Sequence, residues 1–206
     1  VSELFWLIPL IPAVGALING LVGLFGKPLP RSTAYAVACG VVALSFLVAL
    51  GCFFGVFVTQ GGGAVLEHTV FTWIPGMSAL QADGTTHEFV AEWGYRLDSL
   101  SMVMVLVVSG IGLLIHIYSI GYMSHDAGYW SFFTYLNMFT FFMLNLVMAD
   151  NFLLMFIGWE GVGLCSYLLI GFWFTRDAAA KAGKKAFIVN RIGDAGFVMA
   201  IFLIFF

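Results

Sequence analysis

The feature that most limits this chain is a succession of apolar stretches, each about as long as a bilayer is thick. A spanning helix needs about 20 mostly apolar residues to cross about 30 Å of hydrocarbon. Five complete stretches of this kind run from about Leu4 to Phe25, Ala34 to Val58, Ser99 to Gly121, Phe132 to Ala149 and Phe152 to Phe174. A sixth starts near Lys185 and is still apolar at Phe206. Of the 206 residues, 62% are hydrophobic and only 9% are charged, against about 25% charged in soluble domains. So few charges cannot cover a globule of this size, and lipid is the solvent that suits it. The expected fold is an all-α integral membrane bundle of about six helices, a single membrane domain over residues 1–206.

The connections carry their own signals. Asp150-Asn151 is the only polar break between the fourth and fifth stretches. Both residue types favour turns and N-caps, which predicts a tight hairpin there. Pro9 and Pro12 in the first stretch read as packing kinks. Gly51 and Gly55 make a GxxxG step that permits close helix contact. The long polar connection, residues 59–96, holds Gly61-Gly62-Gly63, a Pro75-Gly76 turn and two β-rich pieces, Thr69 to Ile74 and Glu88 to Trp93. These predict a β-hairpin lying on the membrane surface. Asp98 stands where the N-cap of the third helix belongs.

Charge sets the expected orientation, because short cytoplasmic loops collect Lys and Arg. Lys27 and Arg31 lie in the first loop, and Arg176, Lys181, Lys184 and Lys185 follow the fifth stretch. The long connection has Glu67, Asp83, Glu88 and Glu92 against Arg96, and the fourth turn has Asp150. The N-terminus and the hairpin are therefore expected outside, periplasmic if the membrane is a bacterial inner membrane; a mitochondrial or thylakoid membrane is the equivalent. The first stretch is led by Glu3 and by no Lys or Arg, so it reads as a retained span and not a cleaved signal. An apolar helix still open at Phe206 gives the expectation of an N-terminal part of a larger subunit.

Cys39, Cys52 and Cys165 sit in apolar runs and make no CxxC pair. No iron–sulfur, haem or zinc spacing occurs, and no dinucleotide or phosphate-loop motif. No cofactor or metal is expected in this chain. A formal net charge of −3 gives no nucleic-acid footprint.

Charges inside the apolar stretches are the candidate functional residues. Glu160 lies about eight positions into the fifth stretch, which at about 1.5 Å per residue places it close to the bilayer midplane. An acidic residue there costs roughly 2.5–3.5 kcal/mol on the most lenient insertion scale. Burial and a nearby cation act on such a carboxyl in opposite senses, so a movable cation lets it load and release a proton. The bland alternative is a protonated Glu that only hydrogen-bonds a neighbouring helix. Gly158, Gly161 and Gly163 admit either tight helix packing or water beside it. Ser166 and Tyr167 fall near the same face and can extend a hydrogen-bonded chain toward the cytoplasm.

The sixth stretch holds Lys185, Asn190, Arg191 and Asp194. Arg191 and Asp194 share a face, as do Asn190 and Asp194. They are either a local ion pair that neutralises two costly charges or a direct proton handler. Lys184 and Lys185 lie near the interface, where such chains snorkel, and Lys185 is the deeper. His116, about five residues from the cytoplasmic end of the third stretch, is a relay candidate or a merely solvated interfacial ring. His125 and Asp126 read as loop residues without a role. Asn137 and Asn145 are suited to hydrogen bonding between helices.

The run Gly158-Trp159-Glu160-Gly161-Val162-Gly163-Leu164-Cys165-Ser166-Tyr167-Leu168-Leu169-Ile170-Gly171-Phe172-Trp173 resembles the fifth-helix signature of the antiporter-like distal subunit of complex I, the NADH:quinone oxidoreductase. Lys184-Lys185-Ala186-Phe187-Ile188-Val189-Asn190-Arg191-Ile192-Gly193-Asp194 resembles that family's next signature, and Arg96-Leu97-Asp98-Ser99-Leu100-Ser101 its entry to the third helix. The resemblance implies a longer subunit with two inverted five-helix repeats, each with a discontinuous helix and a proton half-channel. It places the family's key glutamate at Glu160 and its conserved Arg and Asp at Arg191 and Asp194. The partner lysine would lie beyond Phe206. It implies as partners the adjacent antiporter-like subunit, the small membrane subunits and the bilayer. NAD, FMN, iron–sulfur clusters and quinone would belong to other subunits.

Three alternatives stay open. One is the large subunit of an Mrp-type Na⁺/H⁺ antiporter, which shares the intramembrane Glu. Another is the plastid or cyanobacterial relative that takes electrons from ferredoxin, since Gly171 to Arg176 also fits that branch; membrane-bound hydrogenase subunits resemble the chain more loosely. The third is a membrane scaffold without transport.

Overall fold

The computed structural model describes residues 2–26, 29–59, 63–80 and 86–205. Lys27, Gly61, Gly62, Asp83 and Phe206 lie outside the described residues. After a 3-10 turn at Ser2–Leu4, helix α1 runs Leu7–Phe25 and α2 runs Arg31–Cys52. A π-helical turn, Phe53–Val58, extends α2 without a break. Pro9 falls in the first turn of α1, where no amide hydrogen has an intrahelical acceptor, so it removes no bond there. Strands β1 (Leu66–Leu80) and β2 (Thr86–Leu97) follow, then α3 (Ser99–Tyr122), α4 (Tyr129–Met148), α5 (Phe152–Ile170) and α6 (Asp177–Phe205). Among the described residues, six helices are long and apolar enough to cross a membrane. The chain is a multi-pass membrane protein with one small two-stranded sheet among the described residues.

Three local expectations need correcting. Helix α6 begins at Asp177 and not near Lys185. The run Ala178 to Ala182 is four alanines and a lysine, all strong helix formers, so the helix propagates back through it past Lys184 and Lys185. Pro75-Gly76 is not a turn but part of β1. The pairing register shifts between Ile74 and Met77, and such a bulge accommodates a residue that cannot donate to the ladder. Gly55 faces open space, so the GxxxG step brings no helix close at that position.

Side-chain caps explain the starts of α3 and α5. The Asp98 carboxylate accepts from the Ser101 amide at 2.9 Å and from its hydroxyl at 2.7 Å. Those bonds hold the carboxyl below its ordinary range. Asn151 accepts from the Leu154 amide at 2.9 Å and so starts α5.

The hairpin is fastened to the bundle. Tyr95 pairs with Ala149 across an isolated bridge, and the Asp150 amide donates to Gly94 at 3.3 Å. The Asn151 side chain donates to the Glu92 carbonyl at 2.7 Å. Buried Tyr95 donates to Asn145 of α4 at 2.8 Å and accepts from the Trp93 indole at 2.8 Å. Burial pushes the Tyr95 phenol up to about 12, so it remains a donor. The α4–α5 turn therefore has β2 as its base, and that turn sets the height of α5. At the other end, the Arg31 guanidinium donates to the carbonyls of Ser124 and Asp126, the latter at 3.2 Å.

Helices α4 and α5 meet through glycine. A Cβ on Gly158 would lie 2.6 Å from the Leu146 amide nitrogen, and one on Gly161 would lie 2.1 Å from the Phe142 ring. Both glycines therefore serve helix packing against α4. Gly158→Ala is expected to lower stability by about 1–3 kcal/mol through overpacking against backbone. Gly55→Ala should be close to neutral. Thermal midpoints of the full-length protein in detergent check both. Asp98→Ala should cost about 1 kcal/mol. A carboxyl held below its ordinary range stabilises the fold fully above that range and loses this effect as the pH falls through its folded value. The Asp98→Ala difference should therefore be complete at neutral pH and vanish in acid.

Candidate functional site

The bundle brings together residues that are far apart in the sequence. Glu160 sits midway along α5, and Arg191 and Asp194 lie on the part of α6 that crosses it. The Arg191 guanidinium is ion-paired with the Glu160 carboxylate. It also reaches Asp194, with 3.6 Å between Nη1 and Oδ2. The other Asp194 oxygen accepts from the Trp159 indole N–H at 2.7 Å. The chain of contacts thus closes on itself, from Trp159 and Glu160 on α5 to Asp194 and Arg191 on α6. Asp194 is 5% exposed. The Glu160 and Arg191 side chains are 24% and 38% exposed, so the pair opens toward the uncovered side of α6.

Aromatic rings frame the cluster. Arg191 lies 4.5 Å over the Phe187 ring, where the ring quadrupole attracts the guanidinium. Trp159 and Phe156 each contact Phe197, with ring centroids 6.0 and 5.8 Å apart. Two carboxyl groups share one guanidinium. With both ionised the group carries one excess negative charge, and one proton on either carboxyl makes it neutral. Such a group can take up one proton. A lone ion pair would use one carboxylate.

The other sequence candidates are placed differently. Lys185 is exposed and makes no ion pair among the described residues. Asn190 is exposed, and its amide nitrogen would lie 3.8 Å from a Cβ on Gly163. Ser166 and Tyr167 are half-buried, and no hydrogen bond links either to Glu160 among the described residues. The Tyr167 ring packs on Phe187 at 5.3 Å. Tyr167 also lines a cleft of about 560 Å³ with Asp126, Ser131, Tyr135 and Thr175. His116 is not a solvated interfacial ring. It is completely buried between α3 and α4, bonded to Gly112 and Asn137 and outside the Glu160 cluster.

Two residues escaped the sequence reading. Trp159 was visible only as a neighbour of Glu160, although a tryptophan in an apolar helix needs an acceptor for its N–H. Asp126 was read as an idle loop residue. It accepts from the Trp173 indole at 2.8 Å and from the Gly128 amide at 2.7 Å, and so ties the α3–α4 loop to the segment between α5 and α6. These bonds, with Arg176 and Arg31 nearby, hold its carboxyl below the ordinary range.

A polytopic bundle with a charged cluster held between two of its apolar helices defines a multi-pass membrane protein with ionisable groups inside its spans. Residues 149–206 match the family described as "NADH:quinone oxidoreductase/Mrp antiporter, TM". Residues 85–133 match "NADH-Ubiquinone oxidoreductase (complex I), chain 5 N-terminus". The chain belongs to the subunit L, or chain 5, family of complex I and corresponds to its N-terminal part. It is 44% identical over 200 residues to NADH-quinone oxidoreductase subunit L of Mycobacterium tuberculosis, covering 97% of this chain and 29% of the relative. It is 42% identical over 207 residues to NAD(P)H-quinone oxidoreductase subunit 5 of the Paulinella chromatophora organellar chromatophore, covering 98% and 29%. The chain thus spans 29% of the length of these curated relatives. Among solved structures, the Mrp complex from Dietzia sp. DQ12-45-1b shares the fold, with a TM-score of 0.66 at 22% identity over 95% of this chain and 19% of that one.

Removing the shared cation separates the roles of the carboxyls. Arg191→Gln leaves two carboxyls uncompensated and should destabilise the fold, by less than the roughly 3–5 kcal/mol of a fully buried pair because Arg191 and Glu160 are partly exposed. Adding Glu160→Gln to Arg191→Gln should recover part of that loss. Thermal unfolding of the full-length subunit in its complex measures the difference.

Proposed function

We propose that this chain is the N-terminal part of a proton-translocating membrane subunit of NADH:quinone oxidoreductase, in which Glu160 is a proton carrier. The observation that carries the reading is one guanidinium shared by two carboxyls between apolar helices, Arg191 with Glu160 and Asp194. Such a cluster has a built-in site for one proton, and an intramembrane ionisable group stands on a transport path by default.

The mechanism follows from how the cation divides itself. When Arg191 sits on Glu160, that carboxyl is held ionised. When Arg191 moves toward Asp194, Glu160 loses its counter-charge and takes up a proton. Trp159 keeps the Asp194 carboxylate in place to receive the guanidinium. In the full-length subunit, a lysine on a later helix would be the second cation, and the changing Glu160–lysine separation would set the direction of transfer. Redox chemistry in other subunits, which would hold NAD, FMN, iron–sulfur clusters and quinone, would drive that change. Ser166, Tyr167, Asn190 and Lys185 are the candidate groups along the entry route. Tyr167 supports this best, because it joins the helix that bears Glu160 to the cleft beside Asp126.

The partners would be an adjacent antiporter-like subunit, smaller membrane subunits and lipid. The location would be the inner membrane of a bacterium, with a periplasmic N-terminus. Arg31, Arg176, Lys181, Lys184 and Lys185 lie at one end of the bundle, and Glu3, Glu67, Glu92 and Asp150 at the other, which supports that orientation. The Mrp-type Na⁺/H⁺ antiporter remains the second reading on fold likeness. Co-purification of flavin and iron–sulfur subunits with the full-length chain distinguishes the two.

Glu160→Gln in the full complex should abolish or strongly reduce protons pumped per NADH oxidised while leaving assembly intact. Undiminished pumping would remove Glu160 from the mechanism.

A further inference from the structure

A second polar group lies in the α1–α4 bundle, built from residues that the Glu160 cluster does not use. His116 of α3, Asn137 of α4 and Asn19 of α1 are 0%, 0% and 1% exposed. Nδ1 of His116 lies 2.7 Å from the Gly112 carbonyl oxygen and Nε2 lies 3.0 Å from Oδ1 of Asn137. A backbone carbonyl only accepts, so Nδ1 carries a hydrogen. With Oδ1 of Asn137 facing Nε2, two N–H donors are required and the ring is an imidazolium; the opposite amide orientation goes with a neutral ring. A neutral ring keeps only the Nδ1 hydrogen. Asn137 must then turn its amide over so that Nδ2 donates to Nε2.

The other side of the Asn137 amide faces α1. A Cβ on Gly15 would lie 2.7 Å from Asn137 Nδ2. That nitrogen and Oδ1 of Asn19 are the two buried side-chain polar atoms without a partner among the described residues. Gly15 and Asn19 are one turn apart on α1, so both orphan atoms lie beside that helix, next to Val41 of α2, whose Cγ2 would lie 2.5 Å from the same Cβ on Gly15. A buried polar atom needs a partner, and one bridging water, which takes two to four polar partners, would serve both. Water suits both amide orientations. It accepts from Nδ2 of Asn137 in one and donates to Oδ1 in the other, while donating to Asn19 in each.

Charged side chains stand away from the ring. Helices α1, α3 and α4 bring no charged side chain to the group, and α2 brings only Arg31 at its start, where it bonds the α3–α4 loop. The titratable side chains are Tyr35, Cys39 and Cys52 on α2, Tyr118 and Tyr122 on α3, and Tyr129 and Tyr135 on α4. Glu92, Tyr95 and Arg96 of β2 lie beyond the opposite end of α3. None is bonded to the imidazole. A proton there is therefore held by dipoles and not by a counter-charge.

We propose that Asn19, His116 and Asn137 form a second proton-binding site that holds one buried water and in which the Asn137 amide turns over with the proton. The site is separate from Glu160, and its water does not depend on the pumping reading. A density map of the complete complex that resolves buried waters should show one within about 3.2 Å of both Asn19 Oδ1 and the Asn137 amide. An aliphatic side chain filling that seam, or no density there, overturns the water site. Asn137→Asp places a carboxylate beside Nε2 and should raise the pH midpoint of NADH-driven pumping by about one unit. Adding His116→Gln should abolish that shift. A purely structural role would lower pumping at every pH without moving the midpoint, and a midpoint equal to the parent's overturns proton binding at His116. Loss of pumping in Asn137→Asp with the water still present counts against the coupling and not against the water.

Discussion

The shared guanidinium of Arg191 is the interaction around which the charged part of the molecule is arranged. A carboxylate in the middle of an apolar helix is costly unless paired, and Glu160 obtains its partner from α6. Helix α6 in turn is placed by α5, on which it packs. Gly183 allows that approach, since a Cβ there would lie 3.3 Å from the Gly171 backbone. The Trp159–Asp194 bond adds a second tie between the same two helices. The cluster is thus a fastening between α5 and α6 as well as the seat of the proposed proton chemistry, so a change in how α6 sits would alter the charge balance at Glu160.

The rest of the bundle fixes α5 from the other direction. Gly158 and Gly161 let α5 lie against α4 at backbone distance. The β-hairpin clamps the α4–α5 turn through Tyr95, Gly94 and Glu92. What the sequence suggested as a hairpin lying on the membrane surface is a brace under the helix that bears Glu160. At the opposite end Asp126 and Trp173 join the two adjacent connections. Helix α5 is therefore held firmly, while α6 carries a largely exposed face.

The spans were legible because lipid imposes a simple rule on length and polarity, and the caps at Asp98 and Asn151 because their side chains satisfy orphan amides locally. The start of α6 was not, since Ala178 to Ala182 form helix by propensity and carry it back past Lys184 and Lys185. Pro75-Gly76 misled because a bulge can absorb in a strand what usually marks a turn. Glu160, Arg191 and Asp194 stood out as charges in apolar runs. Their meeting across α5 and α6 could not be read, because sequence spacing gives contacts within one helix and not between two. His116 was misplaced for the same reason: its distance from the helix end said interface, whereas α4 covers it.

The central claim is that Glu160 and Asp194 compete for one cation and hold one proton between them. Infrared difference spectroscopy of the complete complex during NADH-driven turnover tests it most directly, through the carbonyl stretch of protonated carboxyl groups. The account predicts a turnover-dependent carboxyl band that disappears when either Glu160 or Asp194 is replaced by its amide. A spectrum that keeps every such band in both variants would contradict it.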